Sequence, residues 1–166
     1  MRIQLVSLFA AAVLLAACES TPETTATTGG NTASTGTSTA PSTARGPVPG
    51  SKEDFVANVG DRVFFAFDKS ELSSDARGTL GRQAAWLKQW SNQRLTIEGH
   101  CDERGTREYN LALGERRANA VKDYLVASGV SASRLSTISY GKERPIMLGS
   151  NEAAWAQNRV GVSVPQ

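Results

Sequence analysis

The chain opens on an apolar run, Ile3 to Ala17, interrupted only by Gln4 and Ser7. It is shorter than the ~20 apolar residues needed to cross a hydrocarbon core. It follows Met1-Arg2 and ends in small residues, the layout of a cleaved secretory signal over residues 1–17. Hydrophobic patterning then fades and resumes near Ser51 in short alternating blocks. Arg62 to Phe67 (RVFFAF) predicts a buried strand. Ser73-Ser74-Asp75 supplies helix-start chemistry, and Ala76, Leu80, Ala84, Leu87 and Trp90 follow at helical spacing. Arg94 to Glu98 alternates like a half-buried strand. Thr106 to Ser128 places Leu111, Ala118, Val121 and Leu125 on one helix face, with Gly129 as its stop. Leu135 to Tyr140, Glu152 to Gln157 and Val160 to Val164 read as strand, short helix and strand. The order predicts an α+β domain over residues 51–166, a two-layer β-α-β-α-β-(α)-β sandwich with helices packed on a mixed sheet.

Composition changes the picture mainly between the two patterned regions. Residues 19 to 50 are dominated by Thr, Ser, Ala, Gly and Pro, with Val48 the only large aliphatic. Such a stretch buries too little apolar surface to offset its ordering entropy, so residues 18–50 are expected to form a disordered linker. At about 3.3–3.6 Å per residue it reaches at most ~110 Å, and as a relaxed coil ~30 Å. Without residues 1–17 the chain holds 17 Lys+Arg against 16 Asp+Glu and no basic block, which gives no nucleic-acid footprint. Cys18 and Cys101 are the only cysteines, too few for a disulfide framework once Cys18 is otherwise engaged.

Leu15-Ala16-Ala17-Cys18 resembles the bacterial lipobox. That resemblance implies cleavage before Cys18 and acylation of its thiol and new N-terminus, which makes outer-membrane lipids a partner. Several acyl chains, each contributing ~0.8 kcal/mol per buried CH2, hold a protein where one chain binds only marginally. Glu19, rather than Asp, follows the cysteine, which by the same resemblance implies the outer membrane with the domain facing the periplasm.

Candidate chemistry concentrates in Glu98-Gly99-His100-Cys101-Asp102-Glu103-Arg104-Gly105, between a predicted strand and the longest predicted helix. Strand-to-helix loops are common places for sites. A metal centre is not expected, because His100, Cys101 and Asp102 are consecutive and His100 is the only histidine. A Cys–His nucleophile meets the same geometric objection. Paired-carboxylate hydrolysis would have to draw on Asp68, Glu98, Asp102 and Glu103, whose separations the sequence leaves open. Recognition of an amino-acid head group needs an anion and a guanidinium, which Asp102 and Arg117 could supply, the Arg fork gripping a carboxylate bidentately. His100 is expected to be a structural hydrogen-bonder. Phe64, Phe65, Phe67, Trp86 and Trp90 are expected to pack the core, and Glu115, Arg116, Lys122 and Asp123 to form a solvated helix face.

The stretch IEGHCDERGTREYNLALGERRANAVKDYL, Ile97 to Leu125, resembles the signature of the OmpA-like peptidoglycan-binding domain family. The likeness continues through RVFFAFDKSEL, SYGKERP and NEAAWAQNRV, and so covers essentially everything after Ser51. It implies a non-enzymatic domain, without cofactor, that holds the meso-diaminopimelate of the peptidoglycan stem peptide. Asp102 is then expected to take the ligand amine and Arg117 its carboxylate. Asp68 should lie near the same mouth, Arg104 and Leu113 should be secondary contacts, and Gly105 should let backbone N–H groups approach. Asn110 should fix the helix start. Loss of Asp102 or Arg117 is expected to abolish cell-wall retention with little change in thermal midpoint. The family's lipoprotein branch also implies partners in the Tol system, TolB among them. Two departures stand out: Cys101, where Thr or Ala is usual, and Val160 in Asn158-Arg159-Val160, where the pattern leads one to expect a surface cation.

Overall fold

The computed structural model describes residues 46–166. The signal, Cys18 and most of the linker lie outside the described residues. The folded unit begins before its first helix. Gly50, at φ +81°, lies so close to the Trp90 ring that a Cβ there would meet it at 2.7 Å. Its N–H donates to Asp54 at 2.9 Å, and its carbonyl accepts from Gln93 at 3.0 Å. A short helix, α1 (Lys52–Asp54), capped by the Ser51 hydroxyl, runs on into a wider π turn, Phe55–Val59. Sequence patterning did not reveal it, because eight residues are too few to show a period.

Four strands follow the expected order with one shortened. They are β1 (Arg62–Phe64), β2 (Leu95–His100), β3 (Leu135–Gly141) and β4 (Val160–Pro165). They form one mixed sheet in the order β1-β4-β2-β3, with only β2 and β3 parallel. β1 stops at Phe64, opposite Val160, although the apolar run continues to Phe67. Phe64, on the outward side of β1, and Phe67, beyond its end, are exposed, contrary to the expected core role, whereas Phe65 and Trp86 are buried.

The helices are α2 (Ser74–Gln89), α3 (Arg107–Ala127) and α4 (Glu152–Asn158). Ser73 caps α2, Thr106 caps α3 and Asn151 caps α4, each accepting a backbone N–H at the helix start. Gly129 ends α3 at φ +91°, with Val130 N–H returning to the Leu125 carbonyl at 3.0 Å. α3 lies against β2, β3 and β4, and α2 against β1 and α3. The core joins Phe55, Leu80, Leu87, Leu95, Ile97, Val121 and Leu125. On α3 the buried face runs through Asn110, Leu113, Gly114, Arg117, Ala118, Val121 and Leu125, while Leu111 is exposed. That corrects the predicted face, and two polar residues sit on the face turned inward.

One close approach positions the site. A Cβ on Gly99 would meet the Gly114 carbonyl oxygen at 1.9 Å, so β2 and α3 touch backbone to backbone. Only glycine permits that crossing. It brings the turn of α3 that bears Arg117 beneath the end of β2. Val160, at the position where the family pattern has a cation, is fully buried in β4.

Candidate functional site

A cavity of about 190 Å³ opens where the loops after β1 and β2 meet the first half of α3. Asp68, Asp102, Arg104, Gly105, Leu113 and Arg117 all line it, so the structure brings every expected binding residue to one place. Phe67, Cys101, Tyr109 and Asn110 complete the lining.

Arg117 forms the buried wall and is 1% exposed. Its Nε donates to the Lys69 carbonyl at 2.9 Å, NH1 to the His100 carbonyl at 2.8 Å, and NH2 to the Ala66 carbonyl at 3.3 Å. NH1 also reaches Cys101 Sγ at 3.4 Å. A guanidinium has five N–H donors, so one is left for a ligand rather than the bidentate fork expected from the residue type. Among the described residues no carboxylate forms an ion pair with Arg117. Burial pushes its pKa down from the ordinary arginine value, the direction expected of a cation short of counter-charge.

Asp102 stands differently. Its Oδ1 accepts the Arg104 backbone N–H and Nε, both at 3.1 Å, and its Oδ2 accepts Arg104 NH2 at 2.7 Å. Arg159, beside β4, adds NH1 at 3.5 Å. Burial alone would raise this carboxyl; the Arg104 hydrogen bonds and charge, with Arg159, outweigh it and hold the pKa below the ordinary aspartate range. Both expected anchors are thus interior groups that also tie segments together. Removing either will cost stability, which corrects the expectation of an unchanged thermal midpoint.

The remaining residues frame the mouth. Asp68 sits at φ 56°, a left-handed conformation that Asp tolerates better than most residues, and accepts the Tyr109 hydroxyl. That bond raises the Tyr109 pKa. Asn110 donates to the carbonyls of Arg104 and Thr106 at 2.8 and 3.0 Å, fixing the helix start as expected. His100 is buried, its Nδ1 3.0 Å from the Arg144 carbonyl and its Nε2 3.5 Å from Glu98. Cys101 is buried, and burial pushes its thiol up to about 11, so it is a neutral filler. Arg104 lies between the rings of Phe67 and Trp155, at 4.1 and 4.2 Å from their centroids. Trp155 donates to Glu103 at 2.9 Å. Phe67, Tyr109, Glu152, Trp155 and Arg159 were not singled out from sequence as site residues. Arg159 and Trp155 lie more than fifty residues beyond the loop they touch, and no linear motif announces such a contact.

The OmpA family model matches residues 64–159, more than half of the chain. The chain belongs to the OmpA family. Within it, the chain is 57% identical over 116 residues to a peptidoglycan-associated lipoprotein of Rhizobium meliloti, covering 70% of this chain and 66% of that protein. It is 56% identical over 115 residues to the protein of that name from Mesorhizobium japonicum, covering 69% and 68%. The matched stretch thus spans about two thirds of each relative's own length. Among solved structures, the peptidoglycan-associated lipoprotein of Burkholderia pseudomallei aligns with a TM-score of 0.64 at 40% identity, over 67% of this chain and 96% of that one. The C-terminal domain of Helicobacter pylori MotB, at 20% identity and a TM-score of 0.60, shares the fold. The OmpA-family match covers the whole site from Phe67 to Arg159.

Proposed function

We propose that this chain binds peptidoglycan non-covalently through the diaminopimelate of its stem peptides. The observation that carries the reading is Arg117, a buried guanidinium without a carboxylate partner among the described residues, lining an open cavity. A buried cation in that position is stabilised by an anion brought from outside. The ligand carboxylate goes to the free N–H of Arg117, and its ammonium to Asp102. Leu113 packs against the methylene chain, and Gly105 and Asp68 border the entry. The cavity is well below the ~300–1,000 Å³ of pockets that enclose drug-sized ligands. It suits an amino-acid head group, with the glycan left outside.

The rest of the chain extends this reading. Acylated Cys18 anchors the protein in outer-membrane lipid, the segment between Cys18 and the docked Gly50 serves as the leash, and the periplasmic domain grips the wall as a member of the Tol–Pal system with TolB as a partner. No catalysis is involved. Among the candidate carboxylates, Asp102 is held by two guanidiniums, Glu103 by the Trp155 indole and Asp68 by a tyrosine hydroxyl, an arrangement suited to holding rather than to proton transfer.

The test is retention of the full chain on purified, protein-free peptidoglycan, followed by elution with small competitors. A soluble stem peptide containing meso-diaminopimelate should release it at concentrations where the same peptide with lysine in that position, which presents an ammonium but no carboxylate beside it, does not. Absence of retention, or equal release by the lysine peptide, would overturn the reading. Time-dependent release of soluble muropeptides would establish a hydrolase instead.

A further inference from the structure

The seat assigned to the ligand ammonium is already taken. A carboxylate offers about four lone-pair sites, and Asp102 spends them on three N–H groups of Arg104 and one of Arg159. An incoming ammonium has to displace one of these two cations.

They are held very differently. The Arg159 side chain is 10% exposed and is also bound to the Phe65 carbonyl at 3.1 Å and to Glu152 at 2.8 Å. The Arg104 side chain is 32% exposed, and beyond Asp102 its contacts are the two ring faces and the Glu152 carboxylate, 3.9 Å from NH1. Glu152 is itself largely exposed, so it offers Arg104 a counter-charge at the surface. Arg104 can swing away from Asp102 toward solvent and keep Glu152 as its counter-charge. Arg159 is paired with Glu152 as well, but it is enclosed and pinned by the Phe65 carbonyl, so it has nowhere to move.

We propose that Arg104 is an internal competitor for the Asp102 carboxylate, and that a ligand ammonium binds by exchanging with it. The inference rests on the reading that Asp102 takes the ammonium, and adds how that seat is guarded. The exchange is one cation for another, so Asp102 keeps two positive neighbours throughout and never bears the cost of a lone buried charge. It also sets specificity. A ligand whose amine is acylated carries a carboxylate for Arg117 but nothing to trade for Arg104, and the site stays shut to it. Phe67 and Trp155 hold the guanidinium in place by cation–π contact while the site is empty. Affinity for the true ligand is lowered in proportion to how completely Arg104 fills the seat.

The experiment is calorimetric titration of the full chain with a soluble diaminopimelate-containing stem peptide, comparing wild type, Arg104→Gln, Arg104→Lys and Asp102→Asn. Arg104→Gln should bind about tenfold more tightly than wild type, and Arg104→Lys, which keeps the charge but loses the fork, should lie between them. The same peptide with its free amine acetylated should not bind wild type, whereas Arg104→Gln, which has no cation to displace, should admit it; equal exclusion by both would overturn the specificity role of Arg104. In wild type the peptide should change the emission of Trp155, isolated by subtraction of a Trp155→Phe variant, because Arg104 leaves its ring. That change should be absent in Arg104→Gln. Weaker or unchanged binding by Arg104→Gln, or wild-type binding without a Trp155 signal, overturns the competitor role alone. Binding by Asp102→Asn equal to wild type, or no binding by wild type, overturns the assignment of Asp102 and the competitor role with it.

Discussion

Trp86 and Trp155 make the same bond in two regions. Each donates its indole N–H to a carboxylate at 2.9 Å, Trp86 to Asp54 near the start of the domain and Trp155 to Glu103 at the cavity mouth. In both cases the indole is the largest influence holding the carboxyl below its ordinary pKa. The surroundings decide what the bond accomplishes. Trp86 is buried edge-on to Phe55, with ring centroids 4.8 Å apart, so its bond locks the entering chain onto the core. Trp155 is only partly buried and lies on a guanidinium, so its bond shapes a surface that ions hold together. Apolar packing makes the first region stable, and charge makes the second adjustable.

Truncating each ring separates the two most strongly. Trp86→Ala should cost ~3–5 kcal/mol, as large core truncations do, while Trp155→Ala, which loses one cation–π contact and one hydrogen bond at the surface, should cost only ~1–2 kcal/mol. Chemical unfolding of the two variants measures both, and similar losses would erase the distinction. Gly99→Ala should come next. Its Cβ has no room against the Gly114 carbonyl, so α3 must shift at a cost of about 3 kcal/mol, the upper end for overpacking. Because Arg117 rides on α3, wall retention should fall as well, a coupling that Trp86→Ala at partial destabilisation should not show.

The smallest effect is acid titration of the mouth. The folded-state pKa of Asp102 is depressed, so its stabilising contribution is present above the ordinary aspartate range of ~3.9 and is lost as pH falls through the folded value. The thermal midpoint of wild type should exceed that of Asp102→Asn at pH 7. That gap should narrow below about pH 4, and a gap independent of pH would show that the ion pairs contribute nothing.

How much of this the sequence disclosed follows the range of the forces involved. Strands, caps and the Gly129 stop were legible because each depends on neighbours within a turn or two. The shortened β1 was not, because its end is set by where β4 stops pairing with it, and that partner lies nearly a hundred residues away. On α3 the periodicity misled at Leu111, because the inward face is shared by Asn110 and Arg117, polar residues that apolar counting passes over. The loop cluster was visible as charge, and the motif resemblance picked out six of the ten lining residues as ligand contacts. The state of Asp102 was not visible, since it depends on Arg159 and on the ring of Trp155, both distant in the chain.

The docking of Gly50 has a mechanical meaning. Any tension on the chain before residue 46 enters the domain at this glycine, which is pinned under Trp90 and bonded to Asp54 and Gln93. Gln93 and Trp90 are in turn clasped through their carbonyls by Arg134 at 2.6 to 2.9 Å. The load therefore spreads at once into α2, the turn after it and the start of β3. Edge strand β1, held by one neighbour only, is spared from being peeled off the sheet, and a steady pull meets several bonds together where a zipper would present them one at a time.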